Sequence, residues 1–471
     1  MPLRPPPPVS SNPLVRIAKD VASERRATVP FPPGWTKFSM RRTTAFSRHP
    51  LPLLLEGYER FGPVFTVRVL HGNVVFMLGP EANHYMTVSH AANFSWRDGH
   101  MGDMIPLLGD GLLTIDGEFH RRSRKIMLPA FHRDQIAKTQ ATMDEEVARG
   151  LAGWRAGDEV DLYAWTRVLA LRIAMRALFG LDPDNRSDIS TAHDFEEALG
   201  FWSRDYTLQV LRGPGTPWRR LMNARRRLDA LIFAEIDRRR ATGERGEDIL
   251  SLLLDATDED GEGLSKRHIR DEVMTLLFAG HDTTTSTVAF LFYELACDPD
   301  ARARVVDDLA AGSSAALELA MDETLRLYPP AWIGPRRALE PFEFAGVQVP
   351  AGIPVNYCSW ASHRLPDVWP DPERFDPQRF APGNRERIPK GAYVPFGGGS
   401  RTCIGMRFGQ QEIRTIAAAI LERFDPELVP GYELDVRQMP TIGPRHGLPL
   451  VLGVQSATRW RSSPISASTA G

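Results

Sequence analysis

Strict alternation of apolar and polar positions is confined to short stretches of this chain. From Phe61 to Gly79 the run FGPVFTVRVLHGNVVFMLG predicts a hairpin turning at His71-Gly72-Asn73. Strand-like alternation returns around Glu343 to Tyr357, broken by the turn residues Pro350-Ala351-Gly352. Elsewhere, up to about Phe424, the helical period dominates. GEFHRRSRKIML predicts a short helix, and DLYAWTRVLALRIAMRALFG a buried helix stopped by Gly180. PWRRLMNARRRLDALIFAEIDRRR reads as an amphipathic, basic helix with Pro217 in its first turn. The stretch from His268 to Asp298 predicts one helix of about 30 residues, roughly 45 Å long, enough to cross a domain. LELAMDETLRLYPP is a shorter helix stopped by Pro329 and Pro330, and a final helix is expected from Ile404 to Phe424, followed by turns and short strands to Gly453. The pattern predicts a mainly α fold with small β-sheets. No linker divides it, so one domain is expected over residues 41–456, between a proline-rich arm (1–40) and a polar tail (457–471).

Composition narrows this picture little but excludes much. Of 471 residues, 42% are hydrophobic and 25% charged, which excludes general disorder. Lys plus Arg (57) and Asp plus Glu (59) leave a net charge of -2, so no global field draws the chain to nucleic acid or an anionic membrane. No run of about 18 apolar residues predicts a membrane-spanning helix. Three cysteines, Cys297, Cys358 and Cys403, exclude a disulfide scaffold and point to a reducing, cytoplasmic setting.

The sharpest local feature is the glycine-rich run Phe396-Gly-Gly-Gly-Ser-Arg-Thr-Cys-Ile-Gly405. Cys403 sits where this loop gives way to the last helix. Free N–H groups at a helix start, and Arg401 two residues earlier, favour its thiolate. A small buried hydrophobe, a nucleophile and a metal ligand all remain open for it. Zinc would need further thiols or paired histidines nearby, and none are at that spacing. One thiolate is enough for a haem iron.

The run resembles the F-x-x-G-x-R-x-C-x-G signature of the haem-thiolate monooxygenases, the cytochromes P-450, at every fixed position. That resemblance implies Cys403 as the proximal ligand of haem b, Phe396 packed near the sulfur, and Arg401 paired with a haem propionate. Gly399 and Gly405 would permit the tight loop and close approach to the ring.

Three further segments carry the same resemblance. In the long helix, Ala279-Gly280-His281-Asp282-Thr283-Thr284 is similar to the family's A/G-G-x-D/E-T-T/S segment. A mid-helix glycine costs about 1 kcal/mol relative to alanine, and room over the iron is a reason for it. The resemblance implies that Thr283 bonds the iron-bound oxygen and that Asp282 helps relay protons. The second segment is Glu323-Thr-Leu-Arg326, a same-face pair completed in the family by an arginine of a P-x-R-F segment. Arg379 is expected in that role rather than Arg374, because it lies 24 rather than 29 residues before Cys403. These three residues are grouped with the cofactor-site set as its structural support. The third is Glu118-Phe-His120-Arg-Arg-Ser-Arg124, where His120 and Arg124 share a face and are implied to be propionate donors. Many relatives carry Trp where His120 stands. Arg336 is a further propionate candidate, with Arg337 as its rival.

The resemblance runs from about residue 60 to 455. It implies the family's triangular helical prism with haem between the long helix and the cysteine loop. It also implies insertion of one oxygen atom from O2 into a lipophilic small molecule, by hydroxylation or epoxidation. Only 68 residues follow Cys403, so electrons are expected from a separate ferredoxin with its reductase, or from a flavodoxin-like protein. A monomer is expected. Met101, Met104, Ile105, Leu108, Phe278, Ala279, Ala331, Trp332, Ile333, Thr441 and Ile442 are the expected pocket lining. The alternatives are a peroxygenase or an isomerase/dehydratase working without external electrons, and a non-catalytic haem or lipophile carrier.

Overall fold

The computed structural model describes residues 6–10, 12–181, 184, 186–202, 204, 206–257 and 261–455. The tail over residues 457–471 lies outside them. Residues 1–40 do not form the detached arm expected. Pro13–Arg25 (α1) is a helix whose Asn12 cap accepts the Leu14 N–H at 3.0 Å. Gly34–Trp35 (β1) then joins the main sheet. The physical reason lies in the ion pairs that α1 makes: Asp20 with Arg337 and His71, and Glu24 with Arg68.

The main sheet contains β1, Val64–Val69 (β2), Gly72–Met77 (β3), Phe94–Ser95 (β4), Gly334–Ala338 (β5) and Pro354–Tyr357 (β6), in the order β1-β2-β3-β6-β5-β4. β2 and β3 form the expected hairpin, Val69 facing Gly72. Its turn falls at Leu70-His71, one residue early, with Leu70 at φ 52°. Gly72 and Asn73 are drawn into β3, and the Asn73 N–H bonds the Glu24 carboxylate of α1. Phe342–Phe344 pairs with Val347–Val349 as a small hairpin. Phe424–Leu428, Pro449–Val454 and Glu159–Asp161 form a third, antiparallel sheet.

The expected helices follow closely. Gly117–Met127 (α2) carries His120 and Arg124. Leu162–Phe179 (α3) is apolar on nearly all sides, starts at an Asp161 cap and stops at Gly180, which takes the left-handed conformation (φ 60°) open to glycine. Pro217–Thr242 (α4) has Thr216 as cap and Pro217 as its first residue. Lys266–Cys297 (α5), capped by Ser265, is the long helix, 32 residues or about 48 Å. It lies along α3 and touches α4 as well as Ala315–Leu327 (α6) and Met406–Leu421 (α7). α7 begins after Gly405 rather than at Ile404, and ends before Phe424 because that residue pairs with Val454 in the third sheet. Burying α5 among four helices fixes its central segment against the start of α7, which places Ala279–Thr284 opposite the cysteine loop.

Candidate active site

The cysteine loop is closed by its own backbone: the Cys403 N–H donates to the Phe396 carbonyl at 2.9 Å. Gly399 is required here, since at φ +59° an added Cβ would lie 2.2 Å from the Thr87 carbonyl oxygen. Gly405 caps α7, and a Cβ there would meet nothing within 4 Å. Cys403 and Phe396 line a cavity of about 1400 Å³ that reaches from this loop to the N-terminal helix. The enclosing protein raises the Cys403 thiol above its usual pKa, against the opposing pull of the Gly405 N–H and Arg124. Burial therefore outweighs the helix-start effect that favoured the thiolate at the level of sequence.

Four basic groups gather at the same end. Arg124 donates to the Thr402 carbonyl at 2.6 Å. Arg401 donates to the carbonyls of Leu112 (3.0 Å) and Ile115 (2.6 Å) and to the Asp116 carboxylate (2.8 Å). Arg336 donates to the Pro335 carbonyl and lies 3.5 Å above the Trp96 ring, whose centroid is 5.0 Å from Arg401. Burial pushes Arg336 down to about 10. Arg401 also falls to about 10, through burial and the nearby Arg336 and Arg124. His120 falls to about 3 through burial and the charges of Arg401 and Arg124, so it is neutral. The choice between Arg336 and Arg337 is settled by direction: Arg336 lines the cavity, whereas Arg337 bonds Asp20, the Asp98 carbonyl and the Gly352 carbonyl.

Across the cavity, Ala279, Gly280 and Thr283 of α5 form part of the wall. An added Cβ on Gly280 would meet nothing within 4 Å, so the glycine leaves a groove rather than a tight contact. The Thr283 hydroxyl donates to the Ala279 carbonyl at 2.7 Å, the one-turn back-bond that loosens a helix locally. Asp282 is not brought to this wall. One residue turns a helix by about 100°, and its fully buried carboxylate accepts from Arg167 (2.5 Å) and Thr441 (2.8 Å) on the α3 side. A smaller cavity of about 310 Å³, lined by Tyr163, Arg167, Glu196 and Arg437, adjoins that cluster. His281, beside it, is wholly buried between Glu196 and the Arg167 carbonyl.

Glu323, Arg326 and Arg379 do not line the cavity, which corrects their grouping with cofactor-contacting residues. Arg326 grips Glu323 with two hydrogen bonds of 2.7 and 2.8 Å, both residues wholly buried. Arg379 reaches Glu323 at 3.3 Å, while Arg374 offers only its backbone carbonyl to Arg326. The network pins residues 371–379, leading into the cysteine loop, onto α6. Of the expected pocket residues, Met101, Met104, Phe278, Ala279, Ala331, Trp332, Ile333 and Thr441 line the cavity. Ile105, Leu108 and Ile442 do not: Leu108 and Ile442 are buried in core clusters. Trp96, Asp116 and Arg167 were missed. A single arginine in the otherwise apolar α3 was the available signal for Arg167; Trp96 and Asp116 carry no spacing that marks them.

Residues 30–443 match the cytochrome P-450 family model. The chain belongs to the cytochrome P-450 family. It is 34% identical to cyclooctatin synthase of Streptomyces melanosporofaciens over 73% of this chain and 79% of that protein. It is also 34% identical to cyclooctat-9-en-7-ol 5-monooxygenase of the same organism, over 70% and 75%. Among solved structures, the retinoic acid-bound cyanobacterial CYP120A1 superposes with a TM-score of 0.81 at 30% identity, covering 91% of this chain and 100% of that one. The expected fold is therefore the observed one, and the chain is an oxidoreductase of the cytochrome P-450 monooxygenase type.

Members of this family bind haem b through a cysteine thiolate, and the residues present fit that group. Arg124, Arg336 and Arg401 face one end of the cavity with the Asp116 carboxylate as counter-charge, and burial and mutual repulsion weaken their hold on protons. A ligand carrying two carboxylates relieves that excess of positive charge. The thiol of Cys403 and the open face of Gly280 lie on the same cavity.

Proposed function

We propose that this cytochrome P-450 inserts one oxygen atom of O2 into a lipophilic small molecule, hydroxylating or epoxidising it, with electrons from a separate donor such as a ferredoxin with its reductase. One observation supports this best: a single cavity is cationic and thiol-bearing at one end and lined at the other by Met101, Met104, Phe278, Trp332 and Ile333. Cyclooctat-9-en-7-ol and retinoic acid, named for a relative and a structural neighbour, are carbon-rich molecules of the class proposed.

In this reading Cys403 ligates the haem iron, while Arg124, Arg336, Arg401 and the neutral His120 hold the propionates. Bound there, the haem supplies the binding and activation of dioxygen. The chain's own part is to place and protonate. Gly280 leaves room over the metal. Thr283 Oγ1 exchanges its bond to the Ala279 carbonyl for one to the bound oxygen species, and Asp282 relays protons to that hydroxyl when it leaves Arg167. The apolar wall desolvates the substrate and keeps bulk water from the site.

The test is product formation with donor proteins, a nicotinamide cofactor and O2, on a substrate found by spectral-shift screening of lipophilic compounds. Substrate-dependent cofactor consumption with an oxygenated product is expected. Product from peroxide alone, never from donor and O2, would overturn the reading in favour of a peroxygenase. The reduced carbon-monoxide complex should show the red-shifted thiolate band, and Cys403→Ala should abolish it.

A further inference from the structure

The N-terminal segment lies ahead of the family-matched region yet forms part of the cavity wall. Asn12, Pro13, Arg16 and Asp20 line the same cavity as Cys403. The contacts of α1 converge on one neighbour, the stretch from Trp96 to Met104, whose Met101 and Met104 also line the cavity. Arg16 is the centre of this contact. Its Nη1 donates to the Gly99 carbonyl at 3.0 Å and its Nε pairs with Asp103 at 2.9 Å. An added Cβ on Gly102 would come within 3.1 Å of its Nη2, so the guanidinium is seated against the turn itself. Arg16 is only 12% exposed, whereas Asp103 is 45% exposed and shared with His100.

The ends of this strap are anchored elsewhere. Upstream, the Pro7 carbonyl accepts from Arg97 at 2.9 and 3.2 Å. Downstream, Asp20 is buried between His71 and Arg337; burial raises its carboxyl, but those two partners prevail and hold it down at about 2. Breaking the downstream anchor would uncover a buried charge, whereas the Arg16 contacts can exchange for water at small cost. The short 3-10 helix His100–Met104 is thus the yielding element between firm supports.

We propose that Arg16 latches the 99–103 turn against α1 and thereby sets how fast ligands enter and leave the cavity. Latch and turn open together. The closed state is held by the Gly99 carbonyl and Asp103, and opening exposes the side of the cavity that carries Met101 and Met104. The rate consequence rests on the proposed haem site, because the probe reports from the iron; the opening itself does not.

Two measurements on Arg16→Ala holoenzyme separate these. Hydrogen–deuterium exchange of the peptide covering residues 97–106 should quicken about threefold to tenfold, the range expected for losing one partly exposed ion pair and its hydrogen bond. Stopped-flow binding of 4-phenylimidazole should show association and dissociation rates both raised by a similar factor, leaving Kd within about twofold. The swap Arg16→Asp with Asp103→Arg should bring both readouts back toward wild type, which general loosening of the fold would not do. Unchanged exchange in Arg16→Ala overturns the latch. Faster exchange with unchanged binding rates overturns the turn as the route. Weaker Kd with an unchanged association rate shows a merely structural role and overturns the proposal. Wild-type protein giving no spectral response to the azole would refute the haem site instead, with the exchange result still deciding the latch.

Discussion

The Asp282 carboxylate lies 2.5 Å from the Arg167 guanidinium, while Thr283, its neighbour on the same helix, faces the cavity. Two adjacent residues of one motif thus serve different surroundings: one is held in a buried ionic cluster, the other forms the wall above the proposed haem. Removing Arg167 leaves Asp282 buried with Thr441 and a more distant Arg437 at 3.6 Å. Arg167→Ala is expected to destabilise the fold by about 3–5 kcal/mol, and Arg167→Leu with Asp282→Leu by much less. Chemical denaturation of both variants checks this. Equal losses would mean that the pair is not a coupled unit.

The two arginines around Glu323 should be unequal. Arg326 is wholly buried and bonds Glu323 twice, so Arg326→Ala is expected to cost about 3–5 kcal/mol and to impair haem incorporation. Arg379→Ala removes a longer, partly exposed contact and should cost about 1–2 kcal/mol. Arg374→Ala keeps the carbonyl that Arg326 uses and should be near neutral. Urea unfolding of the three variants gives the order directly, and a severe Arg374→Ala phenotype would contradict it.

Arg336 and Arg337 are adjacent in β5 but should separate by phenotype. Arg336→Ala removes a cation from the cavity and is expected to lower haem retention, measured as haem content after gel filtration. Arg337→Ala instead strands Asp20 under α1, so its main effect should be a lower Tm with haem content largely kept. The reverse pattern would exchange the two roles.

Glu412 of α7 gives a pH signature. Burial pushes its carboxyl up to about 8, against the Thr284 hydroxyl bonded at 3.0 Å. The folded chain keeps this proton up to about pH 8, whereas the unfolded chain releases it near the ordinary 4.5. The contribution to stability is therefore fully present below about pH 4.5 and is lost as pH rises through about 8. Glu412→Gln stays neutral and should flatten that decline. Urea midpoints of wild type and variant between about pH 5 and 9 test the prediction, which parallel curves would refute.

Local rules of the chain determined a great deal here. The helix stop at Gly180, the caps at Thr216 and Ser265, the hairpin near His71 and the cysteine loop all depend on residues close in sequence. Each was legible because propensity, capping and glycine conformation act within a few positions. The spacing to Cys403 likewise pointed to Arg379 over Arg374. What a side chain faces was decided only by tertiary packing. Arg336 lines the cavity and Arg337 does not, because the sheet turns alternate residues to opposite sides and Asp20 waits on one of them. Asp282 turns from the cavity because a buried carboxylate requires cations, and α3 supplies one from a helix more than a hundred residues away. The first 40 residues read as an arm because proline-rich sequence carries no periodic signal. Their docking rests on pairs such as Arg16 with Asp103 and Asp20 with Arg337, contacts between distant segments that no local pattern encodes.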